Sequence, residues 1–176
     1  MLKITIPAAE FFDESTYCFI TTKETTLTLE HSLVSISKWE SETEKPFIGR
    51  KLTREETIQY IRCMTITQNV DPLVYASIPD RIVEDISNYI NQKQTATWFG
   101  EDKSKNRPQR RVITSELIYY WMIKCGIPWE CEKWHINRLL TLIRVCQEEA
   151  KPSKQLSYKE RAALNAARKK KFNTRG

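Results

Sequence analysis

The sequence predicts an α+β fold, in which a mostly helical single domain carries a small N-terminal antiparallel sheet and a basic C-terminal helix. Short segments near the N-terminus alternate apolar and polar residues, as half-buried strands do. The rest of the chain repeats its apolar residues at helical spacing, and prolines and glycines interrupt the pattern. With 176 residues, of which 40% are hydrophobic and 28% charged, the chain has the length and composition of one globular domain.

The predicted sheet lies at the N-terminus. Residues 2–6 alternate apolar and polar side chains and end at Pro7. Segments 17–21 and 25–29 are rich in aromatic and β-branched residues, which favour strands. Residues 13–16 have the polar composition of a hairpin loop. We therefore expect a small antiparallel sheet built from these three segments.

The first predicted helix lies within Leu29–Phe47, and the rest of the chain is expected to pack around it. Leu33, Ile36 and Trp39 are spaced i, i+3 and i+6, which places them on one apolar face. Pro46 disfavours helical backbone at the residue before it, so the helix is expected to end there. This pattern predicts that Trp39 is buried in the core.

Three further helices are predicted before residue 92. Thr53 and Glu56 form the pattern of a capping box, in which each side chain accepts a hydrogen bond from the other residue's backbone. A short helix is predicted to begin at Pro72. Another is predicted to begin at Pro79, because proline suits the first helical turn, and to end near Asn91.

The segment after these helices is less regular. Residues 95–99 have the composition of a strand, and Val112 and Ile113 are expected to pair with them across the polar, basic loop 100–110. Trp98 lies beside this loop, where an exposed aromatic residue is typical of a partner anchor. Burial of Trp98 in the core is the alternative. The candidate partner-binding residues of this region are Trp98, Phe99, Arg110 and Arg111.

Two helices are predicted in the last part of the domain. The first is capped by Thr114 or Ser115, and its run 117–123 is apolar on all sides, which predicts a central, buried helix with Trp121 in the core. The second is expected to be the longest, over residues 128–149.

The sequence offers neither a metal site nor a catalytic site. Cys131 and His135 would lie one helical turn apart, but no further ligand pattern completes a zinc site. No residue is placed to activate a nucleophile, and with four glycines the chain lacks a glycine-rich phosphate loop. Carboxylates such as Glu40 and Glu44 fit helix caps or solvated faces. We therefore expect no enzymatic activity, no metal and no cofactor.

Cellular location is predicted from what the sequence lacks. No apolar run approaches the roughly 20 residues of a membrane span, and the N-terminus does not have the pattern of a signal peptide. The five cysteines are odd in number and irregular in spacing, which is typical of reduced thiols. We expect the protein in the cytoplasm of the cell that makes it, with no membrane contact.

The C-terminal extension, residues 151–176, holds most of the basic charge. It contains nine Lys or Arg and one acid, a net charge of +8, so residues 1–150 sum to −2 within the total of +6. It is expected to be a solvated terminus, a segment that becomes ordered on a protein partner, or a nucleic-acid contact. Its candidate partner-binding residues are Lys151, Lys154, Lys159, Arg161, Arg168, Lys169, Lys170, Lys171 and Arg175.

Four segments carry a resemblance to a known family: SLVSISKWES with the following KPF, YIRCMTITQNV, TSELIYYWMI, and IPWECEKWHINRLLTLIRVC, together with the closing KKKFNTRG. They resemble a family of proteins from the tail module of long-tailed bacteriophages, generally described as tail assembly chaperones. The resemblance implies a non-enzymatic protein of the host cytoplasm that binds the tape-measure or tail-tube protein. The alternatives are a structural virion component at the head–tail junction or in the tail, and a nucleic-acid-binding protein. Self-association is also left open.

Overall fold

The computed structural model describes residues 1–13, 17–99, 112–150 and 158–172, and shows an α+β protein that is mostly helical. Its contacts divide the chain into two units, Met1–Cys146 and Gln147–Gly176. The predicted boundary after residue 150 lies close to this division and stays a prediction. The first unit contains the sheets, most of the helices and the hydrophobic core.

Among the described residues, four short strands form two antiparallel sheets of two strands each. Strand β1 (Leu2–Ile6) pairs with β4 (Thr25–Leu29), and β2 (Ala9–Asp13) pairs with β3 (Cys18–Thr22), so that only β2 and β3 form a hairpin. The sequence prediction missed β2, because its two carboxylates obscure the strand pattern of the adjacent phenylalanines. The β1–β4 sheet contributes Ile6, Leu27 and Leu29 to the core.

Helix α1 (Leu33–Thr43) is at the centre of the first unit, as predicted. Ser32 caps it through a capping box with Ser35, and Glu44 ends it with φ of 55° in the left-handed region. Leu33, Ile36 and Trp39 are all fully buried on the face that the sequence indicated. The helix packs against the helices that follow it, including α2 and α5.

Helices α2 (Arg54–Met64), α3 (Pro72–Ala76) and α4 (Asp80–Asn91) follow in the predicted order. The capping box at the start of α2 is confirmed: the Thr53 hydroxyl accepts from the Glu56 N–H at 3.2 Å, and the Glu56 carboxylate accepts from the Thr53 N–H at 3.1 Å. Pro79 is the residue before α4 rather than its first helical residue.

The strand predicted at residues 95–99 is wrong, and so is its pairing with residues 112–113. Neither segment has regular secondary structure. The Thr97 N–H donates to the Thr95 hydroxyl at 3.2 Å, and Gln94 has φ of 53°. A local side-chain acceptor of this kind competes with a strand ladder for the backbone N–H.

Helix α5 (Ser115–Lys124) is buried on one side only, so the prediction of a wholly buried helix is wrong. Ile118 and Met122 face the core, whereas Tyr120 and Ile123 are exposed and Trp121 is half-buried. Apolar side chains occur on all sides of α5, but only one side of the helix packs against the rest of the first unit.

Glu40 of α1 caps the start of α5, a role that the sequence did not indicate. Thr114 is the N-cap residue but makes no capping bond with its side chain. Glu40 Oε2 accepts from the Ser115 N–H at 2.7 Å, and Glu40 Oε1 accepts from the Phe47 N–H at 2.8 Å. Of the two roles predicted for this carboxylate, helix cap or solvated face, the structure shows a cap, made to a distant helix, and the residue is buried.

The helix predicted over residues 128–149 is divided. A 3₁₀ helix (Trp129–Lys133) comes first, and α6 (Ile136–Glu149) begins after a break. The Ile136 N–H donates to the His31 carbonyl at 2.8 Å, and His135 forms a β-bridge with Ser32. This pairing with the segment before α1 prevents helix at residues 134–135, so Cys131 and His135 do not lie on one helical face.

The second unit contains the basic helix α7 (Tyr158–Phe172), which confirms the predicted basic C-terminal helix. The side chains of residues 161–168 are exposed. The sequence Ser157-Tyr-Lys-Glu160 has the pattern of a capping box, but Ser157 lies outside the described residues. Within the described part of the chain, the helices are too short or too polar to cross a membrane.

Candidate partner-binding surface

Trp98 lies on the surface, as its role as a partner anchor requires. Its side chain is 77% exposed, and Lys93 Nζ lies 4.0 Å from the ring centroid. The neighbouring Phe99 is half-buried and has the Arg144 guanidinium 4.1 Å from its ring. These cation–π contacts give the two rings a positively charged setting. Arg110 and Arg111 lie outside the described residues, so their place beside this pair stays a prediction.

A second aromatic surface, which the sequence prediction missed, is formed by α5 and the 3₁₀ helix. We call it the α5 aromatic face and define it as Tyr119, Tyr120, Ile123 and Trp129. Tyr120, Ile123 and Trp129 are 55%, 64% and 56% exposed. The sequence signal for this surface was the pair of tyrosines within the apolar run 117–123, because tyrosine combines an apolar ring with a hydroxyl that favours water.

The α5 aromatic face is ordered by contacts within it. The rings of Tyr119 and Trp129 are 5.6 Å apart between centroids. The Tyr119 hydroxyl donates to Glu132 Oε2 at 3.0 Å, which fixes α5 to the 3₁₀ helix. Partial burial, followed by this hydrogen bond and the charge of Glu132, raises the pKa of Tyr119 to about 12. The result is a rigid apolar surface with a polar rim.

The basic residues of the C-terminal extension are only partly described. Arg161 and Arg168 lie on α7 with exposed side chains. Lys159 and residues 169–171 lie on the same helix, but their side chains are not among those described. Lys151, Lys154 and Arg175 lie outside the described residues. The second unit therefore offers a helix with at least two solvent-facing guanidinium groups.

Two buried histidines form the polar centre of the first unit. The His31 and His135 rings are 5.0 Å apart, and His31 Nδ1 shares a hydrogen bond with the Tyr60 hydroxyl. His135 Nε2 donates to the Tyr89 carbonyl at 3.1 Å, while its Nδ1 accepts from the Asn137 N–H at 3.3 Å. These partners fix His135 in one neutral tautomer.

Burial keeps both imidazoles neutral. Desolvation, with a smaller contribution from His135, lowers the pKa of His31 to about 3. Desolvation also lowers the pKa of His135, against the opposing effect of its hydrogen bond to Tyr89. Burial likewise raises the pKa of the Tyr60 hydroxyl well above its usual value. Burial thus disfavours the charged form of each of these three groups.

Among the described residues, no three or more His, Cys, Asp or Glu side chains are grouped as metal ligands. Cys131 has its pKa raised, chiefly by desolvation, which is the opposite of what a thiolate ligand or nucleophile needs. The histidines instead join the start of α1 to α4 and α6 through backbone bonds. The geometry of these residues is that of a structural network.

Comparison with protein-family models, with curated proteins and with solved structures found no match to this chain. The resemblance to phage tail-module proteins is therefore supported by the sequence segments alone.

A cavity of about 630 Å³ lies beside the histidine network, within the size range of small-molecule sites. Phe47, Ile48 and Leu52 form part of its apolar wall. Its rim includes Arg50, whose guanidinium is paired with Glu56 at 2.7 Å. The hydroxyls of Thr57, Tyr60 and Ser87 in this lining also bond to other protein groups, whereas Lys51 is exposed. We therefore consider the exposed aromatic surfaces the better candidates for function.

Proposed function

We propose that this chain is a non-enzymatic bacteriophage tail assembly protein that binds an apolar, helix-forming segment of the tape-measure or tail-tube protein. The observation that carries the proposal is the α5 aromatic face. Three large side chains of this face are each more than half exposed, on a rigid support. Grouped apolar side chains at a surface are typical of interaction sites, and Trp and Tyr are frequent anchors of interfaces.

The amount of apolar surface suits a chaperone that must release its client. If each of the three exposed side chains loses about 100 Å² to a partner, the gross gain is roughly 7 kcal/mol at 25 cal/mol per Å². Association itself costs about 4–15 kcal/mol in lost freedom of movement. The face alone therefore supports weak, reversible binding, and additional contacts from Trp98 would strengthen it.

The test is binding between the purified full-length chain and the tape-measure and tail-tube proteins of the same phage, measured by isothermal titration calorimetry. Ile123→Ser and Trp129→Ala should each weaken binding at least about tenfold, the effect expected of an interface anchor. Ile66→Ser is the matched control, because Ile66 is 52% exposed away from this face. Client binding that survives both α5 changes, in variants with unchanged melting temperature, would refute this role for the face.

A nucleic-acid-binding function has one observation in its favour, the exposed Arg161 and Arg168 on a helix within an extension of charge +8. Such an arm would bind duplex of any sequence with an affinity that falls steeply with salt. Comparing the full-length chain with a version ending at Ala150 decides this. Binding that disappears on truncation supports the arm, and no binding by either version excludes it. Detection of the protein in purified particles would favour the structural virion alternative.

A further inference from the structure

The β2–β3 hairpin has one face that the rest of the chain leaves open. Its pairing places Phe12 directly opposite Phe19, and Glu10 opposite Thr21. Because side chains alternate along a strand, these four residues lie on the same face of the hairpin. All four are exposed, whereas Phe11, Ile20 and Thr22 on the other face are half-buried or buried. We call the open side the hairpin face.

Aromatic rings dominate the hairpin face. Phe12 and Phe19 are 50% and 71% exposed, with ring centroids 5.2 Å apart. Tyr17 follows the turn, is 82% exposed, and lies edge-on to Phe12 at 6.3 Å. The sheet itself has only these two strands in the described structure. A two-stranded hairpin is marginally stable in water unless something packs against it, so an exposed ring cluster here is typical of a face that a partner covers.

Charge decides what kind of partner fits. Residues 9–22 contain three acids, Glu10, Asp13 and Glu14, and neither Lys nor Arg, although the whole chain has a net charge of +6. Glu10 stands on the hairpin face itself, next to the rings. A wholly apolar partner would bury this carboxylate without a counter-charge, and an acidic partner would be repelled. A cationic side chain can stack on a ring and pair with the carboxylate at once.

We propose that the hairpin face is a docking site for a segment of a partner protein that is rich in Arg or Lys, with cationic side chains stacked on Phe12 and Phe19 and paired with Glu10. This goes beyond the proposed function, because it concerns a different surface and a different chemistry. The α5 aromatic face takes an apolar helix, whereas the hairpin face takes a positively charged segment.

The test uses a fluorescently labelled peptide of alternating Arg and Thr, titrated with the full-length chain and followed by fluorescence anisotropy at low and high salt. Peptides of alternating Glu and Thr, and of alternating Leu and Thr, serve as comparisons. We expect binding of the Arg peptide alone, weakened by salt. Equal binding of the Leu peptide would overturn the proposal, as would preference for the Glu peptide.

Substitutions then locate the site. Phe19→Thr, which keeps a β-favouring residue, should weaken binding about fivefold, and Phe19→Tyr, which keeps the ring, should preserve it. Glu10→Gln should weaken binding about threefold and reduce the salt dependence, while the matched control Glu24→Gln should change neither. Unchanged binding by Phe19→Thr with an unchanged circular dichroism spectrum would overturn the proposal. So would a Phe19-dependent self-association that occurs without binding of the Arg peptide, because the occupant would then be a second copy.

Discussion

Replacing Glu40 by alanine removes one carboxylate that holds three segments of the first unit together. Glu40 lies on α1, its Oε1 accepts from the Phe47 N–H at 2.8 Å, and its Oε2 accepts from the Ser115 N–H at 2.7 Å. Both are short, charge-assisted bonds to backbone donors. Alanine keeps the helix propensity of α1 and leaves both donors without this acceptor.

The expected loss of stability follows from how buried each donor is. Ser115 is 1% exposed, so leaving its N–H without an acceptor should lower the free energy of unfolding by about 1–3 kcal/mol, the usual effect of an unsatisfied buried donor. Phe47 is only partly buried, so water can replace the lost acceptor of its N–H. Loss of this second bond should lower the free energy of unfolding by about 1 kcal/mol. Glu40→Ala should therefore lower the free energy of unfolding by roughly 2–4 kcal/mol. Glu40→Gln should fall between the parent and Glu40→Ala, because it retains one acceptor oxygen.

The assay is urea denaturation followed by tryptophan fluorescence, comparing midpoints at an unchanged m-value. Glu84→Ala is the matched control: Glu84 lies exposed on α4, and its truncation should stay within about 0.5 kcal/mol of the parent. Should Glu40→Ala behave like Glu84→Ala, the carboxylate would contribute nothing as a cap of α5. Hydrogen exchange at the Ser115 amide gives an independent reading, since it should accelerate in Glu40→Ala before global unfolding.

Two other predictions concern the core. The pKa of His31 is about 3 in the folded protein and about 6.5 in the unfolded chain. As the pH falls, the unfolded chain therefore binds a proton before the folded protein does. The free energy of unfolding should be greatest above pH 6.5 and should decrease as the pH falls toward 3. Between pH 7 and 5 the loss should be about 2 kcal/mol in urea titrations, and a His31→Gln variant should flatten the dependence. Trp39→Ala should lower stability by about 3–5 kcal/mol, whereas Trp121→Ala, at a half-buried position, should lower it by about 1–2 kcal/mol. Equal melting temperatures of the two variants would contradict this assignment.

Local signals predicted most of the fold. Three of these signals are the capping pattern Thr53–Glu56, the apolar spacing of α1 and the proline before α4. Each depends on residues within one or two helical turns of one another, so it can be recognised from a short stretch of sequence. The division of residues 128–149 was not predictable in this way. It arises from the pairing of His135 with Ser32, about a hundred residues away along the chain. Strand β2 was missed for a related reason: its two carboxylates obscure the local strand pattern, so that its pairing with β3 is what identifies it.

Prediction of the candidate sites from the sequence is limited in the same way, because exposure depends on packing between distant segments. The exposure of Trp98 agrees with the prediction of an exposed aromatic residue next to a basic stretch of sequence. By contrast, the apolar run of α5 has no pattern that distinguishes the face that packs from the face that meets solvent. Packing on one side of the helix, fixed at its start by the bond between Glu40 and Ser115, leaves Tyr120 and Ile123 outward. The exposed side of a helix can be predicted from periodicity only where polar residues occupy it. On α5 the exposed side carries Tyr120 and Ile123, so the pattern does not distinguish it from the buried side.

The two exposed aromatic faces differ enough in chemistry to separate their partners. The α5 aromatic face ends at Glu132, but that carboxylate already accepts a bond from the Tyr119 hydroxyl, so an apolar segment can cover the rings without burying a bare charge. On the hairpin face, Glu10 is exposed beside Phe12 and Phe19. Any segment that covers these rings also brings a carboxylate into the interface, where an Arg or Lys side chain supplies both a counter-charge and a cation that can stack on a ring. The two faces are therefore expected to select partner segments of different chemistry.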